Sequence, residues 1–246
     1  MPDAVKTEST RRERLFAATQ AELSHAAREL LVEGGVEAVT VRAVAERVGM
    51  TAPAIYRYFD SRETLLGRVC VDLYGELGAH LYAARDERKG ASAAERLRHT
   101  ARAFRHWALS HVPEFSLLFG APIPGVVVDH DDKHGSADGG QGFALVWLEV
   151  FAEIDREGHG MQWNRPIPKR VRAQLDEFVR GVGLPIDINA AMLYVYCWQS
   201  LYGAVATEVF GHLQWALDDA EELFEGRLAE LLVMLGLADR DEAGAP

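Results

Sequence analysis

Apolar residues recur along this chain at helical rather than strand spacing. Between Thr40 and Phe59 (TVRAVAERVGMTAPAIYRYF), Val41, Val44, Ala45 and Val48 stand at i, i+3, i+4 and i+7, which puts one apolar stripe on a helix of about two turns. Thr40 is placed to cap that helix. Gly49 follows the last apolar position, where a left-handed residue ends a helix at low cost. Thr51 can then cap a second, very short helix whose first turn accepts Pro53. Ile55 and Phe59, four apart, predict its inward face and leave Ala52, Pro53, Tyr56, Arg57 and Tyr58 on or beside the outward one.

The same periodicity organises the rest. Leu15, Ala18, Leu23, Ala26, Leu30 and Leu31 predict a helix over about Glu13–Glu33, closed by Gly34 and Gly35. After Phe59, Asp60 or Ser61 starts a helix through about Asp86 with Leu65, Val69, Leu73, Leu77 and Leu81 on its apolar side. At 1.5 Å per residue it would be roughly 40 Å long. Its glycines Gly67, Gly75 and Gly78 are bend or close-packing positions. Gly90–Ser92 breaks the chain before a helix over Ala93–Ser110 that carries Leu97, Ala101, Phe104 and Leu109. Residues 111–125 (HVPEFSLLFGAPIPG) predict a short helix ending at Gly120 and a proline-punctuated loop. Residues 125–142 lack the pattern and predict a mobile loop, and further helices are expected at about Phe143–Glu157, Pro168–Arg180, Ile188–Phe210 and Leu217–Leu235. The predicted class is all-α.

Composition narrows this picture. Across 246 residues, 48% are hydrophobic, enough for a substantial core, yet no apolar run approaches the roughly 20 residues that span a bilayer. The charged N-terminus lacks a secretory apolar segment, so a cytoplasmic protein with no membrane partner is expected. Cys70 and Cys197 lie inside apolar helical patterns without metal-ligand spacing and predict buried thiols. The net charge of -11 is unevenly spread, because residues 1–65 carry 9 Lys and Arg against 10 Asp and Glu, and the remainder carries 17 against 27. Nearly all the excess acid therefore lies outside the first 65 residues, whose local arrangement can still present a positive face. Arg11, Arg12 and Arg14 either extend the first helix as a solvated start, the preferred reading, or reach a phosphate backbone.

Two short helices across a tight turn suit a major groove, where small residues permit close approach, Arg57 can donate to a guanine edge and tyrosine hydroxyls can reach phosphates. The same pair also occurs in plain helical bundles. The wider stretches LSHAARELLVEGGVEAVTVRAVAERVGM and AIYRYFDSRETLL, spanning roughly residues 20–66, closely resemble the DNA-binding domain of the tetracycline-repressor (TetR) family of bacterial transcription regulators. The most specific parts are the Gly35–Thr40 approach, the Ala45–Gly49 helix end, and Tyr56-x-x-Phe59 followed by Arg62, Glu63 and Leu65. Arg62 stands where that family commonly has lysine. With the outward face, the resemblance implies DNA contacts from Thr40, Val41, Arg42, Thr51, Ala52, Pro53, Tyr56, Arg57, Tyr58 and Arg62. Residues 111–125 and 196–213 (YCWQSLYGAVATEVFGHL) are similar to a subgroup with a Trp-His-Gly-type segment near its late helices, although Tyr202 precedes Gly203 where that subgroup often has histidine.

The organisation implied is an arm over 1–12, a three-helix helix-turn-helix domain over 13–66, a helical-bundle effector-binding and dimerisation domain over 67–237, and a tail over 238–246. A homodimer through the last two helices would set two modules on half-sites of an operator about one helical turn apart. His106, Trp107, Phe115, Phe143, Trp147, Tyr194 and Trp198 are candidates to wall a pocket for a small apolar or aromatic effector, whose binding would release a repressor from a near-palindromic site. No nucleotide-binding glycine loop, G-x-S-x-G elbow or H-E-x-x-H occurs, and neither a cofactor, a metal nor an enzymatic activity is expected. The competing chemistry is a metal-dependent hydrolase using Asp129, His130, Asp131, Asp132 and His134, set in glycine-rich surroundings that lack the fixed geometry a metal site needs. A helical interaction protein that keeps the helix-turn-helix as scaffold is the third alternative.

Overall fold

A computed structural model describes residues 10–127, 140–158, 163–182 and 186–237. Among them are ten α-helices and no strand: α1 (Arg11–Gly34), α2 (Val41–Arg47), α3 (Ala52–Ile55), α4 (Arg62–Glu87), α5 (Ala93–Ser110), α6 (Val112–Phe119), α7 (Gly140–Arg156), α8 (Lys169–Val182), α9 (Ile188–Val209) and α10 (Glu221–Met234). They divide into two compact units. One runs to Leu73 and resumes at Pro113; the other takes Tyr74–Val112 and the helices from α7 on.

In the first unit, α1 begins at a reciprocal cap. The Thr10 hydroxyl accepts from Glu13 N at 3.3 Å, and the Glu13 carboxylate accepts from Thr10 N at 2.7 Å, so Arg11, Arg12 and Arg14 lie in the helix. Burial on α1 starts only at Leu23. Leu15, expected on the apolar stripe, is 60% exposed because the buried cluster facing α1 gathers around its later turns: Leu23, Ala26, Ala27 and Leu31 pack with Val39, Val44, Ile55, Phe59, Leu65, Leu66 and Val69. Leu117 on α6 joins the same cluster, and the buried Glu114 accepts from Arg28 Nε at 3.3 Å. By sequence, residues 113–127 follow α5 among the later helices; in space they pack against α1 and α4. At Gly67 an added Cβ would fall 2.8 Å from the Val127 carbonyl oxygen, so this glycine permits close approach.

In the second unit α9 is central and packs against α5, α7, α8 and α10. Its apolar residues Ala190, Leu193, Cys197, Leu201 and Val205 are buried, as are Leu97, Ala101 and Phe104 of α5 and Leu228 and Leu231 of α10. Ion pairs tie the rim: Arg105 on α5 donates to both Glu208 oxygens at 2.8 and 2.6 Å, and Arg102 to both Glu225 oxygens at 2.7 and 2.8 Å. The last helix starts at Glu221 rather than at about Leu217. Gly211 (φ +69°) ends α9, its N–H bonding Glu208 O, and His212 N bonds Thr207 O at 2.8 Å, so the chain turns through residues 210–216 before helix resumes. Cys70 and Cys197 are buried thiols, and burial pushes them up to about 11 and about 12 respectively. Most of the expected loop 125–142, and all of Asp129–His134, lie outside the described residues.

Candidate nucleic-acid interface and ligand cavity

The α2–turn–α3 element follows from short-range chemistry. The Thr40 hydroxyl accepts from Ala43 N at 3.1 Å and starts α2. Gly49, at φ +68°, ends it: Gly49 N bonds Glu46 O at 3.3 Å and Met50 N bonds Ala45 O at 2.8 Å, the paired closing bonds of a glycine-terminated helix. Thr51 occupies the cap position of α3, but its side chain makes no cap bond. The helix is one turn, Ala52–Ile55, prolonged by turns in which Tyr58 N and Phe59 N both bond Ile55 O, at 2.8 and 3.1 Å. Too short to be stable alone, it is held by the buried side chains of Ile55 and Phe59.

This anchoring decides what faces out. Thr40, Arg42, Thr51, Pro53, Tyr56 and Arg57 are exposed, whereas Val41, Ala52 and Tyr58 are half-buried against the core. The Tyr58 ring lies 4.9 Å from that of Phe16, and its carbonyl accepts from Gln20 Nε2 at 3.1 Å. Arg62 departs from its expected role. Its Nε donates to Val39 O and its Nη2 to Val36 O, both at 2.6 Å, so the guanidinium braces the turn entering α2 instead of facing DNA. Sequence reasoning passed over Arg47, which donates to both Glu33 oxygens at 2.9 and 2.6 Å and to Glu29 at 3.2 Å, pinning α2 to α1. These contacts hold the Glu33 carboxyl below its usual range, chiefly through the Arg47 hydrogen bond.

The arginines of this unit thus separate into two sets. Arg28, Arg47, Arg62 and Arg68 are committed to internal carboxylates or carbonyls. Arg11, Arg12, Arg14, Arg42 and Arg57 are exposed and make no hydrogen bond or ion pair among the described residues.

In the second unit, Phe104 gathers the aromatic side chains: ring centroids lie 5.9 Å from Phe143, 6.2 Å from Trp147 and 5.7 Å from Trp198. Trp147, Tyr194 and Trp198 also line a small cavity of about 20 Å³ with Leu97, Ala101 and Phe151. Trp147 is 4% exposed and its Nε1 has no acceptor; burial alone pushes the Tyr194 hydroxyl up to about 12. Three expected pocket residues lie elsewhere. His106 shares the polar face of α5 with Arg102 and Arg105, in a cleft with Glu221 and Glu225. Trp107 stacks on His111 at 4.9 Å, and Phe115 belongs to the first unit, 4.9 Å from Phe119. Helical spacing marks such residues as apolar or aromatic without revealing which helix each will meet. Leu97, Ala101 and Phe104 carried the visible signal, an i, i+4, i+7 stripe, but read only as core.

Residues 97–231, more than half of the chain, match the profile described as "Tetracyclin repressor-like, C-terminal domain", and residues 23–69 match "Bacterial regulatory proteins, tetR family". The chain belongs to the TetR family. The HTH-type transcriptional regulators Rv1816 of Mycobacterium tuberculosis and Mb1846 of Mycobacterium bovis are each 27% identical to it over 219 residues, covering 88% of this chain and 92% of theirs. The solved structure of SCO4313, described as a regulatory protein, superposes with a TM-score of 0.67 at 29% identity, covering 91% of this chain and 100% of that one. A Rhodococcus sp. RHA1 protein of unknown function superposes with a TM-score of 0.59 at 18% identity over 96% of this chain and 100% of its own, which speaks to the fold alone.

This TetR-family protein is therefore a transcriptional regulator with a DNA-binding helix-turn-helix and a helical ligand-binding domain; its curated relatives are regulators, not enzymes. Among the described residues no helix is long and apolar enough to cross a membrane, and no cluster of three or more His, Cys, Asp or Glu is arranged to hold a metal ion.

Proposed function

We propose that the protein is a homodimeric repressor that reads a near-palindromic operator through α2 and α3 and is released by a small apolar or aromatic effector. The separation of the arginines carries this reading. Arg42 and Arg57 flank the turn with no internal partner among the described residues, while every other arginine between Thr40 and Leu73 is tied to the fold, so the unpaired cations mark the face that awaits a polyanion. Thr40, Thr51, Pro53 and Tyr56 share that exposure and Val41 and Ala52 its edge, in keeping with phosphate contacts around a base-reading Arg57. One recognition turn makes few base contacts, and pairing two copies through α9 and α10 would double them. Exposed Val195, Leu223 and Val233 on those helices support such pairing.

The effector reading rests on the aromatic cluster and the cavity beside it, whose lining includes no charged side chain. A cavity of about 20 Å³ is far below the several hundred Å³ of an organic ligand site, so binding would require the surrounding helices to repack. A ligand that does so favours one of two conformations, and coupling of about 1 to 3 kcal/mol would weaken operator binding about 5- to 150-fold. Action on DNA assigns the protein to the cytoplasm.

The test is operator selection followed by binding of two variants to matched and mismatched duplexes. Arg57→Ala should lose about 5- to 150-fold in discrimination, the worth of one bidentate base contact, and Tyr56→Phe should weaken both duplexes alike. Full discrimination by Arg57→Ala would remove it as the base reader.

A further inference from the structure

We infer that the effector taken up at the aromatic cavity of the second unit is an uncharged molecule with an oxygen acceptor, of the ketone or ester kind, and that Trp147 Nε1 donates to that oxygen. The inference rests on the reading of that cavity as the effector site and names the chemistry it selects.

Three observations carry it. First, the wall contains an orphaned donor. Trp147 lines the cavity and is 4% exposed, and its Nε1 has no hydrogen-bond partner among the described residues. A polar group buried without a partner is a standing cost to a fold, and native structures pair nearly all of them. An indole nitrogen donates and cannot accept, so what completes it is an acceptor.

Second, the cavity offers an ion nothing to pair with. No charged side chain lines it, and its two ionisable groups, the Tyr194 hydroxyl and the Cys197 thiol, are pushed up to about 12 by burial and stay protonated at neutral pH. A carboxylate moved here would lose its hydration without gaining a cation. The rings of Trp147, Tyr194 and Trp198 would attract a cation, but a quaternary ammonium brings Nε1 no acceptor. An uncharged acceptor meets both conditions.

Third, the donor is held in place by its neighbours. Trp147 on α7 stands edge-on to Phe104 of α5, with ring centroids 6.2 Å apart and planes at 88°. Leu201 of α9 and Leu228 of α10 complete the same wall. A donor fixed in this way selects by position as well as by type, and the apolar walls are left to cover the rest of the ligand.

The probes are acetophenone; α-methylstyrene, in which CH2 replaces the ketone oxygen at nearly the same shape; benzoate; and phenyltrimethylammonium. Binding of each to the full chain is measured by titration calorimetry in the wild type, Trp147→Phe and Tyr194→Phe. Because α-methylstyrene is the more hydrophobic probe, the quantity read is the ratio of acetophenone to α-methylstyrene affinity within each protein. That ratio should fall about 2- to 13-fold in Trp147→Phe, the worth of one neutral hydrogen bond, and keep its wild-type value in Tyr194→Phe. Benzoate and phenyltrimethylammonium should bind at least about tenfold more weakly than acetophenone. If Trp147→Phe loses helicity, replacement of Trp147 by its benzothiophene analogue, where sulfur takes the place of N–H in a bicyclic ring of the same shape, makes the same comparison. An unchanged ratio on loss of the N–H overturns the assignment of Trp147, as does a fall in Tyr194→Phe alone. Either ion binding as tightly as acetophenone overturns the uncharged class. If no probe binds the wild type, the cavity is not the effector site, and the reading beneath the inference falls together with it.

Discussion

Gly49→Ala isolates the backbone cost of the turn between α2 and α3. Gly49 sits at φ +68°, and a Cβ built on it meets no atom within 4 Å, so the substitution introduces no clash. What remains is the steric cost of a left-handed conformation for an L-residue, about 1–2 kcal/mol. Loss of freedom in the unfolded chain offsets roughly 0.4–1 kcal/mol of that. A net destabilisation of about 1 kcal/mol follows for the first unit. In a cooperative unit of under 100 residues this is a fall of about 4–8 °C in Tm. Gly49→Asn should recover much of the loss, because asparagine tolerates the left-handed region. Thermal unfolding by far-ultraviolet circular dichroism, with operator binding measured well below the transition, separates stability from function: binding in the cold should remain close to wild type for both variants. Gly67→Ala is the contrasting control, since there the added Cβ would lie 2.8 Å from the Val127 carbonyl oxygen and the penalty is steric. Equal Tm for Gly49→Ala and wild type, or equal loss in the alanine and asparagine variants, would refute the backbone argument.

Arg62→Ala leaves two carbonyls without their charged donor and should destabilise the first unit by about 2 kcal/mol in urea unfolding; Arg62→Lys, with a point charge in place of a fork, should recover only part. The Arg102 hydrogen bond holds the Glu225 carboxyl below its usual range. Its stabilising contribution is therefore complete above the unfolded carboxyl's value, about pH 4.3, and is lost as pH falls through the lower folded value. In a Tm series against pH, Glu225→Gln should reduce the acid dependence and leave its sign unchanged. Leu223→Arg and Val233→Arg, at positions 53% exposed, should keep helicity while lowering the mass in sedimentation from dimer to monomer; Leu201→Arg and Leu231→Arg, 6% and 5% exposed, should lose helicity instead. A monomeric wild type at micromolar concentration would end the dimer reading.

Features set by neighbours within about five residues were legible in the chain itself. Thr40 caps α2, Gly49 ends it in the left-handed region, and the Ile55–Phe59 pair buries one side of α3, because each depends on chemistry carried by adjacent residues. The Leu65-Val69-Leu73-Leu77-Leu81 stripe announced α4 for the same reason. Periodicity states that a face is apolar, but not what will cover it. Leu15 continues the stripe of α1 and stays exposed, since the buried cluster is met only from Leu23 on. Arg62 was legible as a cation beside the helix-turn-helix; only the tertiary path of Val36–Val39 turns it inward as a brace. His106, Trp107 and Phe115 share an aromatic character with Trp147, Tyr194 and Trp198, yet helix packing sends them to a polar cleft, a stack on His111 and the other unit. The Arg28–Glu114 pair joins residues 86 apart in sequence, and no local signal encodes such a partnership, because it exists only once α6 has folded back against α1.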